Sequence, residues 1–201
     1  LVLRTQSHFV HEKTLNNCLK FLQYCIQRKE LLPYVQPSLE KLLTQVLLPI
    51  MFITEQDENQ FHEDPIELIR KSQEFAKSYV DQKASALDFI ERICQLKKDN
   101  KELIYFFSFM KFCFDNLEQY EGLPNPDWRV KEAILYAIGK LRYKIDSEIK
   151  HFSGIEQLLM RHVLPELKSG NGLMRRRALW IYGEFGNFDF NNDDHVRQVL
   201  E

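Results

Sequence analysis

Asp127-Trp-Arg-Val-Lys-Glu-Ala-Ile-Leu-Tyr-Ala-Ile-Gly-Lys-Leu141 and Ile155-Glu-Gln-Leu-Leu-Met-Arg-His-Val-Leu-Pro165 read as two helices joined by a short turn. In the first, Val130, Ile134, Ala137, Ile138 and Leu141 recur at helical steps and make one apolar face. Asp127, just after Pro126, is placed to cap it. The second has an echo in Leu39-Glu-Lys-Leu-Leu-Thr-Gln-Val-Leu-Leu-Pro49, 116 residues earlier. Aligned without gaps, the two segments share Glu, three Leu and the closing Pro. Ala133 is echoed by Ala178, 45 residues on, inside another amphipathic run.

Helix pairs that repeat at such intervals predict an all-α superhelix of HEAT or armadillo type, whose repeats run about 40–47 residues. The 201 residues suffice for about four such pairs. Only seven glycines and seven prolines argue against a turn-rich β-sandwich. The pattern divides the chain into one array with pairs at about 8–53, 79–120, 127–169 and 172–201, and an acidic loop plus a short helix at 54–78. No segment reads as a strand. Glu102–Tyr120 is the most aromatic helix and is expected to be buried on nearly every side.

Charge and composition exclude several classes. A net charge of −2 and a pI near 6.4 give no basic balance for nucleic acid. The longest apolar run, Val46–Ile53, is too short to span a bilayer, so no membrane insertion is expected. Cys18, Cys25, Cys94 and Cys113 sit within helical patterns, and Cys18 and Cys25 are too far apart along one helix to bridge. They read as reduced core cysteines of an intracellular protein. The start at Leu1 and the end within a helical pattern suggest a piece of something longer.

Nothing points to catalysis, a cofactor or a metal. There is no phosphate loop, nucleophile elbow or His-Glu-x-x-His. His8, His11 and Glu12 share a helical face but have no further ligand at metal spacing and read as a solvated helix start. His162 reads as a structural histidine. Arg175-Arg176-Arg177 point three ways from a helix, and pairing with acids of the neighbouring repeat is their expected role. Thr54–Glu67 stands apart, with six acids and no Lys or Arg. Such a run is expected to stay extended and solvated, as a plain soluble loop or a docking surface for a basic partner. Its candidate partner-binding residues are Glu55, Asp57, Glu58, Glu63 and Asp64. Asp64-Pro65 opens the short helix, with Asp64 as its cap.

Glu63-Asp64-Pro65-Ile66-Glu67-Leu68-Ile69-Arg70, after an acidic stretch, resembles a signature of the importin-β superfamily, specifically its importin-seven/eight branch. Trp128-Arg129-x-Lys131-Glu132-Ala133 and Leu173-Met174-Arg175-Arg176-Arg177-Ala178-Leu179-Trp180 resemble first-helix HEAT patterns of the same family. The resemblance covers about Leu32 to Leu200. It implies an internal part of a nuclear transport receptor that shuttles between cytoplasm and nucleus, binds protein cargo of basic character and is regulated by the GTPase Ran. Contact with Phe-Gly repeats of nucleoporins is implied for the full-length protein. The alternative is a cytoplasmic HEAT scaffold that assembles other proteins.

Overall fold

A computed structural model describes residues 11–73, 82–96, 104–148 and 154–200. His8, the first residues of the 8–53 and 79–120 pairs, and residues 97–103 and 149–153 lie outside the described set. Every described element is helical. The chain divides into two compact units, Leu1–Phe112 and Cys113–Glu201.

The first unit opens with α1 (Glu12–Ile26), whose cap is His11: Nδ1 accepts from the Lys13 amide at 3.2 Å. Leu15, Leu19 and Ile26 recur on one face of α1 and are buried. A short α2 (Leu32–Val35) leads through a 3₁₀ turn to α3 (Leu39–Leu42) and α4 (Leu48–Met51). Then come α5 (Glu55–Glu63), α6 (Pro65–Gln73) and α7 (Gln82–Gln95). α1 and α4 pack on α7, where Ala86, Phe89, Ile90, Ile93 and Cys94 are buried. Gln23 Nε2 of α1 donates to the Ser85 carbonyl at 3.4 Å, so a buried amide is satisfied within that contact.

α8 (Ile104–Glu121) runs through the unit boundary. Its burial differs from the all-round expectation. Phe106, Phe109, Met110, Cys113 and Leu117 form one buried stripe. Tyr105, Phe107, Phe112, Phe114 and Tyr120 are half-buried on its flanks, and Ser108, Lys111, Asp115 and Glu118 face solvent. A single stripe with aromatic shoulders is what a helix packed on one side produces.

The second unit contains α9 (Trp128–Lys140), α10 (Arg142–Glu148), α11 (Ile155–Leu158), α12 (Gly172–Glu184) and α13 (Asp193–Leu200). Asp127 caps α9 by accepting from the Arg129 amide at 3.1 Å, and Asn171 caps α12 through the Leu173 amide at 2.9 Å. The connection between α9 and α11 is more than the expected short turn, because α10 occupies part of it. α9 packs on α12. Gly139 permits that approach: an added Cβ would meet Trp180 Cη2 at 2.6 Å and Ile181 Cδ1 at 2.9 Å.

The echo between the two proline-ended segments extends to the backbone. Leu43–Leu47 and Leu159–Val163 are both single π turns, at the same 116-residue offset. The Leu48 amide bonds to the Leu43 carbonyl and the Leu164 amide to the Leu159 carbonyl, five residues back in each case. Pro49 and Pro165 follow directly. A proline offers no N–H and its ring collides with the carbonyl four residues earlier. Widening the preceding turn by one residue moves that carbonyl aside. After the turn the first segment resumes as α4 and the second tightens to 3₁₀ over Leu164–Lys168.

Candidate functional site

The acidic stretch is not an extended loop. Glu55–Glu63 is helical, and the physical reason lies in the acids themselves. Thr54 Oγ1 accepts from the Asp57 amide at 3.1 Å while Asp57 Oδ2 accepts from the Thr54 amide at 2.9 Å. This is a reciprocal capping box. Glu55, Asp57 and Glu58 all fall in the first turn, where the helix dipole favours negative charge. Self-repulsion is offset at the helix start, and the stretch folds.

Two of the five candidate acids hold structure. Asp57 Oδ2 also receives Lys83 Nζ of α7 at 2.6 Å, in a partly buried pair. Burial pushes the Asp57 carboxyl up, but Lys83 and the Thr54 hydrogen bonds outweigh it and hold it below the usual range. Asp64 Oδ1 accepts from the Glu67 amide at 3.0 Å and so caps α6. The next acid, Glu67, is taken up by Arg70 through two 2.7 Å contacts. The remaining three behave differently. Glu55 and Glu63 are exposed and Glu58 half-buried, and none forms an ion pair among the described residues. α5 and α6 pack on each other, so these carboxylates stand on one small helical hairpin. Ile66 and Ile69 are exposed on its second helix.

The other titratable clusters are internal braces. His162 is buried, with Nδ1 2.6 Å from Glu121 Oε1. Burial keeps this imidazole below its ordinary pKa despite the neighbouring carboxylate. Arg161 beside it pairs with Glu118 and Glu121. Lys131 is buried against Glu166 at 2.7 Å. Arg177, the third of the arginine run, is buried and donates through Nε to Glu132 Oε1 at 2.7 Å. Its guanidinium lies 4.2 Å from the Tyr136 ring centre and 4.7 Å from that of Trp180. The expected pairing with a neighbouring repeat's acid is thus present at Arg177, while Arg175 Nη1 donates to the Ser169 carbonyl.

Glu156 on α11 is the residue that sequence reasoning passed over. Its Oε2 accepts from the Asn191 amide at 3.0 Å and Asn191 Nδ2 at 2.7 Å. Its Oε1 accepts from the Asn192 amide at 3.2 Å and lies 2.6 Å from His195 Nδ1. Burial would push this carboxyl up, but the bonds from His195, Asn191 and Asn192 hold it down to about 2. A depressed acid stabilises the fold fully above its ordinary pKa of 4.5 and ceases to as pH falls through about 2. Glu156→Gln should therefore melt several degrees below the parent at pH 7, on the order of 1–3 kcal/mol for a buried charged hydrogen-bond acceptor. The gap should close between about pH 4.5 and 2 in thermal melts. A gap constant with pH would show that the carboxylate's charge is not what matters.

Among the described residues there is no cluster of His, Cys, Asp and Glu suited to a metal, and no helix is long and apolar enough to cross a membrane. Cys25, Cys94 and Cys113 are buried and Cys18 is half-buried, and none of the four is in a disulfide. The architecture is that of an all-α HEAT-repeat protein.

Comparison with known proteins gives the family. The Cse1 family pattern matches residues 1–174, and the chain belongs to that family, within the importin-β superfamily and close to its importin-7/8 branch. The chain is 28% identical over 194 residues to an importin beta-like SAD2 homolog of Arabidopsis thaliana, covering 96% of this chain. Importin-8 of Homo sapiens is 25% identical over 196 residues and 98% of the chain. Exportin-2 of Homo sapiens is 24% identical over 181 residues and 85% of the chain. In each case the match spans 18% of the relative's length. No solved structure matches the chain.

Proposed function

We propose that this chain is an internal segment of a nuclear transport receptor of the importin-7/8 kind, and that the α5–α6 hairpin docks a basic protein partner. The reading draws on the named relatives, which are importins and an exportin. The observation that carries the docking site is the set Glu55, Glu58 and Glu63, which form no ion pair among the described residues, on a hairpin whose helices are capped by Asp57 and Asp64. The mechanism is binding, not catalysis. Exposed carboxylates on a rigid element steer a lysine-rich partner and fix its register more than they add raw affinity. Ran in its GTP form would promote release only by binding one shape of the receptor better than another. Basic cargo, Ran, Phe-Gly nucleoporins and shuttling between cytoplasm and nucleus belong to this reading of the whole protein.

The test uses the full-length receptor with Glu55→Lys, Glu58→Lys and Glu63→Lys combined, which leaves the capping residues intact. Affinity for a lysine-rich protein should fall at least about tenfold at low salt, and the difference should shrink in about 0.5 M salt, where exposed charges are screened. Unchanged affinity at low salt would remove the hairpin from the docking surface.

A further inference from the structure

α6 carries apolar surface on two sides. Leu68 is buried, whereas Ile66 is 77% exposed and Ile69 40% exposed. Two residues turn a helix by about 200°, so Ile66 stands opposite Leu68. Ile69 follows Ile66 by about one turn, and the two side chains form one ridge. Pro65, also exposed, continues it. The ridge has no counterpart on α5, whose exposed residues Glu55, Gln56, Asn59, His62 and Glu63 are all polar. Isoleucine is only an average helix former, so local propensity does not account for the pair. Negative charge stands on the same hairpin. Glu63 closes α5 three residues before Ile66, and Glu55 and Glu58 belong to the helix that packs on α6. None of these three forms an ion pair among the described residues. Arg70 shares the face of Ile66, but Glu67 takes it up through two 2.7 Å contacts, so that pair adds no net charge to the ridge.

We propose that Ile66 and Ile69 are the apolar half of the docking surface and that the partner segment is amphipathic, with lysines or arginines for Glu55, Glu58 and Glu63 and a large aliphatic side chain for the ridge. This rests on the docking reading of the hairpin and narrows its partner. Charge complementarity decides the occupant. A purely apolar partner would desolvate the carboxylates without supplying cations, which is costly. A purely basic partner would leave the isoleucines in water, with nothing gained from their apolar area. A segment carrying both kinds of side chain meets both demands. The carboxylates then set approach and register, and the ridge supplies a part of the affinity that salt does not screen.

Two peptides of equal charge, titrated into the full-length receptor, test this. One contains lysine and serine alone; in the other, two serines one helical turn apart are replaced by leucine. In about 0.5 M salt, where exposed charges are screened, the leucine peptide should bind at least about fivefold tighter than its counterpart. In the receptor with Ile66→Ser and Ile69→Ser that advantage should vanish, while the lysine–serine peptide keeps its low-salt affinity within about twofold, as expected for exposed substitutions. An equal loss for both peptides, or no loss for either, overturns the proposal; a ridge already covered by another part of the receptor gives the second result. The receptor with Glu55→Lys, Glu58→Lys and Glu63→Lys combined separates this from the docking reading. If it binds both peptides at low salt as the parent does, docking on the hairpin fails and the proposal with it. If it binds both more weakly while the isoleucine variant treats them as the parent does, docking stands and the ridge alone falls.

Discussion

Replacing Gly139 by leucine is expected to cost about 3 kcal/mol or more and to lower the melting temperature of the second unit by about 10 °C. The glycine lies under the six-membered ring of Trp180, with Ile181 Cδ1 also within 2.9 Å of where a Cβ would sit. Neither neighbour can move freely. Ile181 is fully buried, and Trp180 is held between Tyr136, in a tilted ring pair with centres 5.5 Å apart, and the Arg177 guanidinium. A larger side chain must separate α9 from α12 or unseat Trp180 from these contacts. Gly139→Ala sets two effects against each other: helix propensity favours alanine by about 1 kcal/mol, and overpacking opposes it by about 1–3 kcal/mol. We expect overpacking to win, because the obstructing group is a held ring. Denaturant unfolding measures both variants. Trp180→Ala in the Gly139→Leu background should recover part of the loss, a coupling that a propensity effect would not produce.

Arg177→Met should be the most costly change in the buried arginine contact, at about 3–5 kcal/mol. Glu132 is completely buried, and Arg177 supplies the hydrogen bonds to its Oε1. Its Oε2 has no hydrogen-bond partner among the described residues, so removing the arginine leaves the carboxylate with little to replace solvation. The pair as a whole is worth much less. Glu132→Leu with Arg177→Met removes both charges and keeps apolar volume, and should lie within about 2 kcal/mol of the parent, the remaining loss coming from contact with Tyr136 and Trp180. Equilibrium unfolding of the two single variants and the double one separates these terms. If the double variant is as unstable as Arg177→Met, packing against the rings dominates and charge burial does not.

Sequence periodicity reaches the helices and part of the pairing. The 45-residue echo of Ala133 in Ala178 is one residue off the 44-residue offset of the capped helices, and across their contact the structure joins Glu132 to Arg177. The echo ending in Pro49 and Pro165 extends to the backbone, where the same π turn appears in both segments. The acidic stretch is harder to read. Its carboxylates suggest repulsion, yet Thr54-x-x-Asp57 carries the spacing of a capping box, a local signal that decides in favour of a helix. The Lys83 partner of Asp57 is 26 residues away and no local pattern announces it. The same holds for Glu156, whose partners come from 35 to 39 residues downstream. Burial of α8 on one face is illegible for another reason: aromatic shoulders and a buried stripe have the same hydropathy.

The π turn before Pro49 also accounts for the longest apolar run in the chain. One inserted residue advances every later side chain by about 100° around the helix axis. Leu39, Leu43, Val46 and Leu47 follow one stripe into the turn, and Leu48, Ile50 and Met51 leave it on a stripe out of phase with the first. Superposed in sequence, the two stripes merge, and Val46–Ile53 loses any visible period although each half keeps its own. The unbroken hydropathy there is a phase dislocation written into the chain, with the proline as its marker.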